Sequence, residues 1–359
     1  MKTRLIFVGG FLGAGKTSLL LQSMELLKQQ GLRAVIITND QGSDLVDTML
    51  ARSRGADVAE VTGGCFCCRF PDLLKTIQEV TDSVHPDVIL AEPVGSCTDI
   101  VATVVKPLER DYPDVYEVAP FTVLVDPERE LESFPDSMDD LFHWQLGEAD
   151  IVAISKTDLL TDEQTQQQVQ HFRETYPGKQ VMPLSSRTGM GIEDWLAQIM
   201  RPPAYRRNVV PVDYIVYAEA EACLGWLNAS LQLQADHPFS PQQWITNLLE
   251  DLQEDLQRLN AEIAHVKVHV YTDTAGQHQL KASLTALDRS IDWDLQDASL
   301  VTQTATAIFN ARVHSTPDVL QQIVEQVVKR TAAAMQLSAD VVHLECFSPA
   351  PPQPTFRLT

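Results

Sequence analysis

Short apolar runs punctuate the first two hundred residues, at 4–8, 34–38, 87–91, 121–125, 150–154 and 180–184. They are rich in Val, Ile and Leu and show little alternation with polar residues. Continuously apolar strands are buried on both faces, the condition of strands in a parallel sheet. Helical stretches lie between them, at 16–30, 71–83, 97–109 and 162–175. This strand–helix alternation predicts an α/β fold, a mostly parallel sheet with helices on both faces.

The pattern stops in MRPPAYRRNVVPVD, residues 200–213, where prolines and arginines read as a linker. Residues 213–234 then read as extended segments. Residues 241–261 place Trp244, Leu248, Leu252 and Leu256 at helical spacing. Strands follow at 264–272, 279–286 and 303–313. STPDVLQQIVEQVV opens a helix, with Pro317 in its first turn and Asp318 near its positive end. In AHVKVHV, Val266, Val268 and Val270 share one strand face, and His265, Lys267 and His269 share the other. That polar face reads as solvated or turned to a partner. These elements predict a smaller α+β unit, its helices on one face of an antiparallel sheet. The expected organisation is a P-loop domain at 1–202, an α+β C-terminal domain at 203–347 and an extended Pro-rich tail at 348–359.

Length supports two domains, since 359 residues exceed what one core usually serves. A formal charge of -22 argues against non-specific binding to nucleic acid or to anionic lipid, because both need a basic surface. No apolar run approaches membrane-spanning length, and the N-terminal run is too short for a secretory signal. The six cysteines are unevenly placed. In a chain read as cytoplasmic, clustered thiols point to metal or redox chemistry more than to disulfides.

Three motifs outline a nucleotide site. FVGGFLGAGKTS carries Gly10-x-x-x-x-Gly15-Lys16-Thr17 between a strand and a helix, the context of a phosphate-binding loop. Lys16 is expected at the outer phosphates and Thr17 at Mg²⁺. VILAEPVG ends a strand in Glu92, placed to hold Mg²⁺ or its water, with Gly95 near the terminal phosphate. After another strand, Asp40, Asp44 and Asp47 could position metal or the attacking water. VAISKTDLL sets Lys156 and Asp158 after a strand. A carboxylate at 158 can accept both N–H groups on the guanine edge, which adenine lacks, so GTP is the expected nucleotide. In LSSRTGMGI, Ser185 and Ser186 are candidates to close over the base.

GGCFCCRF, residues 63–70, offers Cys65, Cys67 and Cys68 to a thiophilic ion such as Zn²⁺, Cu(I) or Co²⁺. Adjacent Cys67 and Cys68 point apart in a strand, so a turn is needed, and Gly63 and Gly64 can supply it. Three thiolates leave one coordination position for water, a carboxylate or a recipient protein. Redox use and inert burial are the alternatives.

The order of P-loop, TNDQGSD, GGCFCC, EPVG and SKTD resembles the CobW-like family of metal-linked GTPases, related to the nickel-insertion GTPases of hydrogenase and urease maturation. The resemblance covers about the first two hundred residues. It implies a P-loop α/β domain with a smaller C-terminal domain, and slow GTP hydrolysis coupled to metal at the cysteines. It implies phosphate roles for Gly13, Ala14, Gly15, Lys16, Thr17 and Ser18, while the motifs themselves make Lys16, Asp47 and Glu92 the candidate catalytic set. Metal roles fall to Thr17, Glu92, Asp40, Cys65, Cys67 and Cys68, and base recognition to Lys156 and Asp158. The chain departs at Asp40, where the family carries Glu, and at Ser155, where Asn is usual. The expected partner is a client metalloprotein or cofactor-dependent enzyme. A nucleotide-dependent homodimer could supply missing catalytic groups. An activator of a corrinoid-dependent enzyme and a nucleotide-gated metal or redox sensor are the other readings.

Overall fold

The computed structural model describes residues 2–42, 46, 57–129, 131, 134–201, 207–272 and 278–358. The expected boundary at 202–203 therefore falls outside the described residues, as do Asp44 and Asp47. Among the described residues, eight strands form the first sheet. They are β1 (Thr3–Gly10), β2 (Ala34–Asn39), β3 (Val58–Val61), β4 (Val88–Ala91), β5 (Tyr116–Val118), β6 (Thr122–Val125), β7 (Ile151–Ile154) and β8 (Gln180–Pro183). The order is β3-β2-β4-β1-β6-β7-β8, with β5 beside the start of β1, and every pairing is parallel. Side chains alternate between two cores. Leu5, Phe7, Val35, Ile37 and Ile89 enter one, and Ile6, Val8, Ile36, Val88 and Leu90 enter the other. Both faces are buried, which is why the runs read as uniformly apolar.

Helices α1 (Lys16–Gln29), α2 (Phe70–Val84), α3 (Lys106–Asp111), α4 (Asp136–Glu148), α5 (Asp162–Thr175) and α6 (Ile192–Ile199) accompany this sheet. The helix expected over 97–109 differs in form. Residues Val101–Val105 make a π-helical turn before α3. Pro107 cannot donate to the Thr103 carbonyl, and its ring crowds that turn, so the backbone widens there. Strand β3 (VAEV) carries Glu60 and only its last residue is buried, and β5 (YEV) is three residues long with Glu117 at its centre, so neither stands out in the apolar pattern.

The second sheet is antiparallel, in the order β12-β11-β10-β13-β9-β14. Its strands are β9 (Leu224–Phe239), β10 (Ile263–Tyr271), β11 (Gln279–Leu284), β12 (Asp292–Leu295), β13 (Thr302–His314) and β14 (Ser338–Phe347). Helices α8 (Pro241–Arg258) and α9 (Pro317–Ala334) share one core with its apolar face, where Trp244, Leu248 and Val327 meet Val266, Val268 and Val270. Residues 214–222, expected to be extended, form helix α7 (Tyr214–Ala222). Asp213 caps it, accepting the N–H of Ile215 at 2.9 Å and of Val216 at 3.4 Å. The Ala- and Glu-rich end of the segment outweighs β-branched Ile215 and Val216. The edge strands β12 and β14 carry charged residues and were not apparent from periodicity. No helix among the described residues is long and apolar enough to cross a membrane.

Glu148 closes α4 against the π-helical turn. It is 1% exposed, and it accepts the Val101 N–H at 2.9 Å and the Thr98 hydroxyl at 3.2 Å. Burial pushes its carboxyl up to about 8 from an ordinary 4.5. A raised acid favours the fold fully below the unfolded value and loses that contribution as pH climbs to the folded one. Urea unfolding across pH 4.5 to 8 should therefore show stability falling as pH rises. Glu148→Gln should remove about one proton from that slope. An unchanged slope in the variant would mean that Glu148 is ionised in the fold.

Candidate nucleotide and metal site

The loop between β1 and α1 carries the phosphate-binding motif. Gly15 caps α1 at φ 93°, a left-handed conformation that costs glycine little. The first N–H groups of α1 are thereby presented to the cleft at the positive end of the helix dipole. The Lys16 ammonium reaches back over the loop to the carbonyls of Gly10 (2.9 Å) and Phe11 (3.3 Å). Thr17 donates its hydroxyl to Glu92 Oε1 at 3.0 Å, and both side chains are buried. Hydroxyl and carboxylate thus form an oxygen pair suited to a hard divalent cation. Gly95 follows at close range. A Cβ there would meet Leu12 Cδ2 at 2.8 Å and the Leu12 backbone N at 3.0 Å, so glycine lets the 92–97 segment touch the P-loop.

Past β7, Lys156 takes a positive φ of 53° and pairs with Asp126 at 2.9 Å. Burial pushes the Asp126 carboxyl up, but Lys156 and Arg289 outweigh it and hold the group at about 2. Asp158 accepts the Ser185 hydroxyl at 2.5 Å and lies 3.8 Å from Arg187. Ser155 donates its hydroxyl to the Val125 carbonyl at 3.1 Å, bracing the end of β6. A cavity of about 420 Å³ is lined by Gly15, Ser18, Lys156, Asp158, Ser186 and, from β12, Trp293.

The second sheet roofs this cleft, which corrects the reading of the His265–Lys267 face as solvated or partner-facing. His265, Lys267 and, from β11, Lys281 line the same pocket as Lys16, Thr17 and Glu92. His269 is instead buried, with Nε2 3.0 Å from Gln279 Oε1. Burial, and then the nearby cations led by Lys267, hold His265 well below the usual histidine range. Arg129 pins roof to floor. Its guanidinium donates to Leu12 O (2.8 Å) in the P-loop and to Ala264 O (2.9 Å) and Thr285 O (2.5 Å) in the second sheet. Asp40 lines the same cleft, and its carboxylate is held by Arg312 at 3.1 Å, which stacks on Trp226.

The thiols lie on a turn between β3 and α2. Gly63 and Gly64 both take positive φ, and the Cys68 and Arg69 N–H groups fold back onto the Cys65 carbonyl. The turn brings Cys65 Sγ to 3.3 Å from Cys68 Sγ, and Cys67 Sγ to 3.7 Å from Cys68 Sγ. All three sulfurs lie within 4.8 Å of one another, and the donor set suits a thiophilic ion. Hydrogen bonding of the protonated thiol to Cys65, Cys68 and Cys97 raises Cys67 well above its ordinary value.

Sequence reasoning missed Asn39, Asp126, Arg129 and the tail. Asn39 ends β2, and its amide donates to Val61 O (2.9 Å) and Gly64 O (2.8 Å). Its oxygen accepts the N–H of Phe66 (3.0 Å) and of Val94 (3.4 Å). A polar residue ending an apolar strand was the available signal. The tail lies across the thiol turn. Gln353 N–H donates to Cys68 Sγ at 3.1 Å, Thr355 N–H donates to Cys67 O at 3.0 Å, and Phe356 packs edge-on against Phe70. Arg357 anchors it by pairing with Asp99 at 2.7 Å.

Residues 4–183, half of the chain, match the model of the CobW/HypB/UreG nucleotide-binding domain. The hydrogenase maturation factor HypB of Azotobacter vinelandii is 30% identical over 191 residues, 53% of this chain and 57% of that protein. The zinc chaperone YeiR of Escherichia coli K12 is 28% identical over 167 residues, 46% of this chain and 49% of that one. The chain thus spans about half the length of these relatives. The Zn(II)-bound YjiA GTPase of E. coli covers 93% of this chain and 99% of its own, at 15% identity and a TM-score of 0.36.

Deleting residues 353–359 should uncover Cys68. Labelling of the native protein by an aromatic disulfide reagent should then speed several-fold. An unaltered rate would mean that the strap does not shield the sulfur.

Proposed function

The chain belongs to the CobW/HypB/UreG family, and from that premise we propose that it binds and hydrolyses GTP to load or release a thiophilic metal for a client protein. The observation that carries this reading is the Asn39 amide, which joins the thiol turn to the loop that follows Glu92. Lys16 and the α1 N-terminus bind the outer phosphates, and Gly13 and Ala14 line their path. Thr17 and Glu92 hold Mg²⁺ between them. Bound there, the ion neutralises charge on the β- and γ-phosphates. Lys267 faces the cleft from the roof, beside Lys281, which is paired with Asp294 at 3.1 Å. Water attacks the γ-phosphorus, the β–γ bridging bond breaks, and GDP and inorganic phosphate leave. Slow turnover is the expectation, because no arginine aimed at the phosphate end is evident among the described residues.

Asp158 accepts from the guanine edge, Lys156 lays its stem along the ring, and Ser185 and Ser186 close the loop around it. Trp293 gives the base a neighbour from the second sheet. GTP should therefore change Trp293 fluorescence far more than ATP does, and Trp293→Phe should abolish the change. A signal retained in that variant would place the base elsewhere.

The relatives' names make zinc the first metal to test, with cobalt as its spectroscopic substitute. Affinity for both is measured by competition with a chelator, in the presence of a GTP analogue, GDP or neither. Tight binding should require Cys67 and shift with nucleotide by roughly 5- to 150-fold, the usual range of coupling between sites. Affinity indifferent to nucleotide rules the carrier reading out. Single-turnover hydrolysis with and without metal separates a carrier from a sensor that scarcely turns over.

A further inference from the structure

A fourth sulfur stands against the thiol turn. Cys97 lies five residues beyond Glu92, is 3% exposed, and places Sγ 3.7 Å from Cys67 Sγ. It is held there from both sides. Its N–H donates to Val94 O at 2.9 Å, and its carbonyl accepts Gln145 Nε2 at 2.9 Å.

Metal–thiolate bonds of about 2.3 Å in a tetrahedron set sulfurs about 3.8 Å apart. The separations of 3.3 Å (Cys65–Cys68), 3.7 Å (Cys67–Cys68) and 3.7 Å (Cys67–Cys97) lie close to that edge. They are far too long for disulfides, and all four cysteines are free. Three ligands from one short turn span one face of a tetrahedron, so the remaining vertex has to be supplied from another segment. On the solvent side stands the tail, at Cys68. On the buried side stands Cys97, beside Cys67 but outside the set of three sulfurs that all lie within 4.8 Å of one another, so its loop has to move toward Cys65 and Cys68 to close the site.

We propose that Cys97 is the fourth ligand, closing a four-thiolate site whose ligand count is what the nucleotide controls. The proposal rests on the metal-carrying reading above and adds its linkage. Cys97 is borne by the loop whose first residue accepts from Thr17 and whose Gly95 touches the P-loop. As the metal enters, metal–sulfur bonds form and each protonated thiol yields its proton to solvent, with no change of oxidation state. When the loop shifts, the Cys97–metal bond breaks and a water or a recipient's thiolate takes the vacated position. Closed four-ligand sites retain their ion, and sites with an open position exchange it.

X-ray absorption of the zinc-loaded full-length protein, with GTP analogue and with GDP, should count four sulfurs at roughly 2.3 Å in one nucleotide state and three with one lighter atom in the other. Three sulfurs with one lighter atom in both nucleotide states overturns the proposal, and that measurement needs no variant. In the cobalt-loaded protein, Cys97→Ser should lower sulfur-to-cobalt charge-transfer intensity by about a quarter, one ligand in four. It should also abolish the difference in zinc affinity between GTP analogue and GDP. Unchanged intensity, or a retained nucleotide difference, overturns the proposal. Cys67→Ser separates the two levels. If it binds zinc as tightly as the wild type, the metal-carrying reading itself fails. If it loses zinc while Cys97→Ser behaves as the wild type, only the fourth ligand fails.

Discussion

One side-chain amide sets the geometry on which this molecule turns. Asn39 ends the strand beside β4, and its nitrogen and oxygen both point across the strand ends. Two donated bonds fix the last residue of β3 and the glycine before the thiols. Two accepted bonds fix Phe66 within the turn and Val94 after Glu92. A net hydrogen bond contributes about 1 kcal/mol, but leaving a buried partner unsatisfied costs about 1–3 kcal/mol. The four bonds therefore tend to be kept together or lost together. The Val94 bond, at 3.4 Å, is the longest of the four. On the reading proposed above, a displacement at Val94 reaches the cysteine turn through this one amide, which is too short to serve shifted partners.

The second sheet imposes the complementary constraint. Its apolar face is satisfied by α8 and α9, which leaves the polar face of β10 and β11 to find an environment of its own. It finds the P-loop cleft. Arg129 makes that docking specific, since one buried guanidinium serves carbonyls of both sheets. Burial lowers its pKa to about 10, yet it remains a cation at neutral pH. Arg289 adds a second tie to Asp126, at 2.7 Å, beside Lys156. Phosphate end and base end of the cleft are thus both built from the two sheets together.

Much of the first sheet was legible because its strands are buried on both faces and its motifs sit at strand ends, where a parallel sheet gathers its functional loops. The P-loop, Glu92 and the Lys156–Asp158 turn are read from contiguous residues. Asn39 and Cys97 could not be ranked in the same way. Each acts through partners 22 to 55 residues distant in the chain, and no contiguous motif names those partners. The same holds for the roof. Alternation in AHVKVHV established that His265 and Lys267 share a face, but period alone does not say what the face meets. Helix α7 was hidden by β-branched residues in its first turn, where the cap at Asp213 decides the outcome.

The charge distribution draws these parts together. The chain carries 49 acidic against 27 basic residues. Lys16, Lys156, Lys267 and Lys281 line one narrow pocket together with Asp40, Glu92, Asp292 and Asp294, and Lys281 pairs with Asp294 at 3.1 Å. Charge in the cleft is thus nearly balanced, and attraction for a phosphate is local, at Lys16 and the N–H groups that open α1. The acidic exterior repels polyanions, whose many phosphates must be neutralised across a broad surface. A nucleotide presents a few phosphates in one place, so it can satisfy the cleft without meeting the rest of the surface. The excess of acid therefore does not oppose nucleotide binding. It narrows the anions that can bind to those small enough to enter between the two sheets.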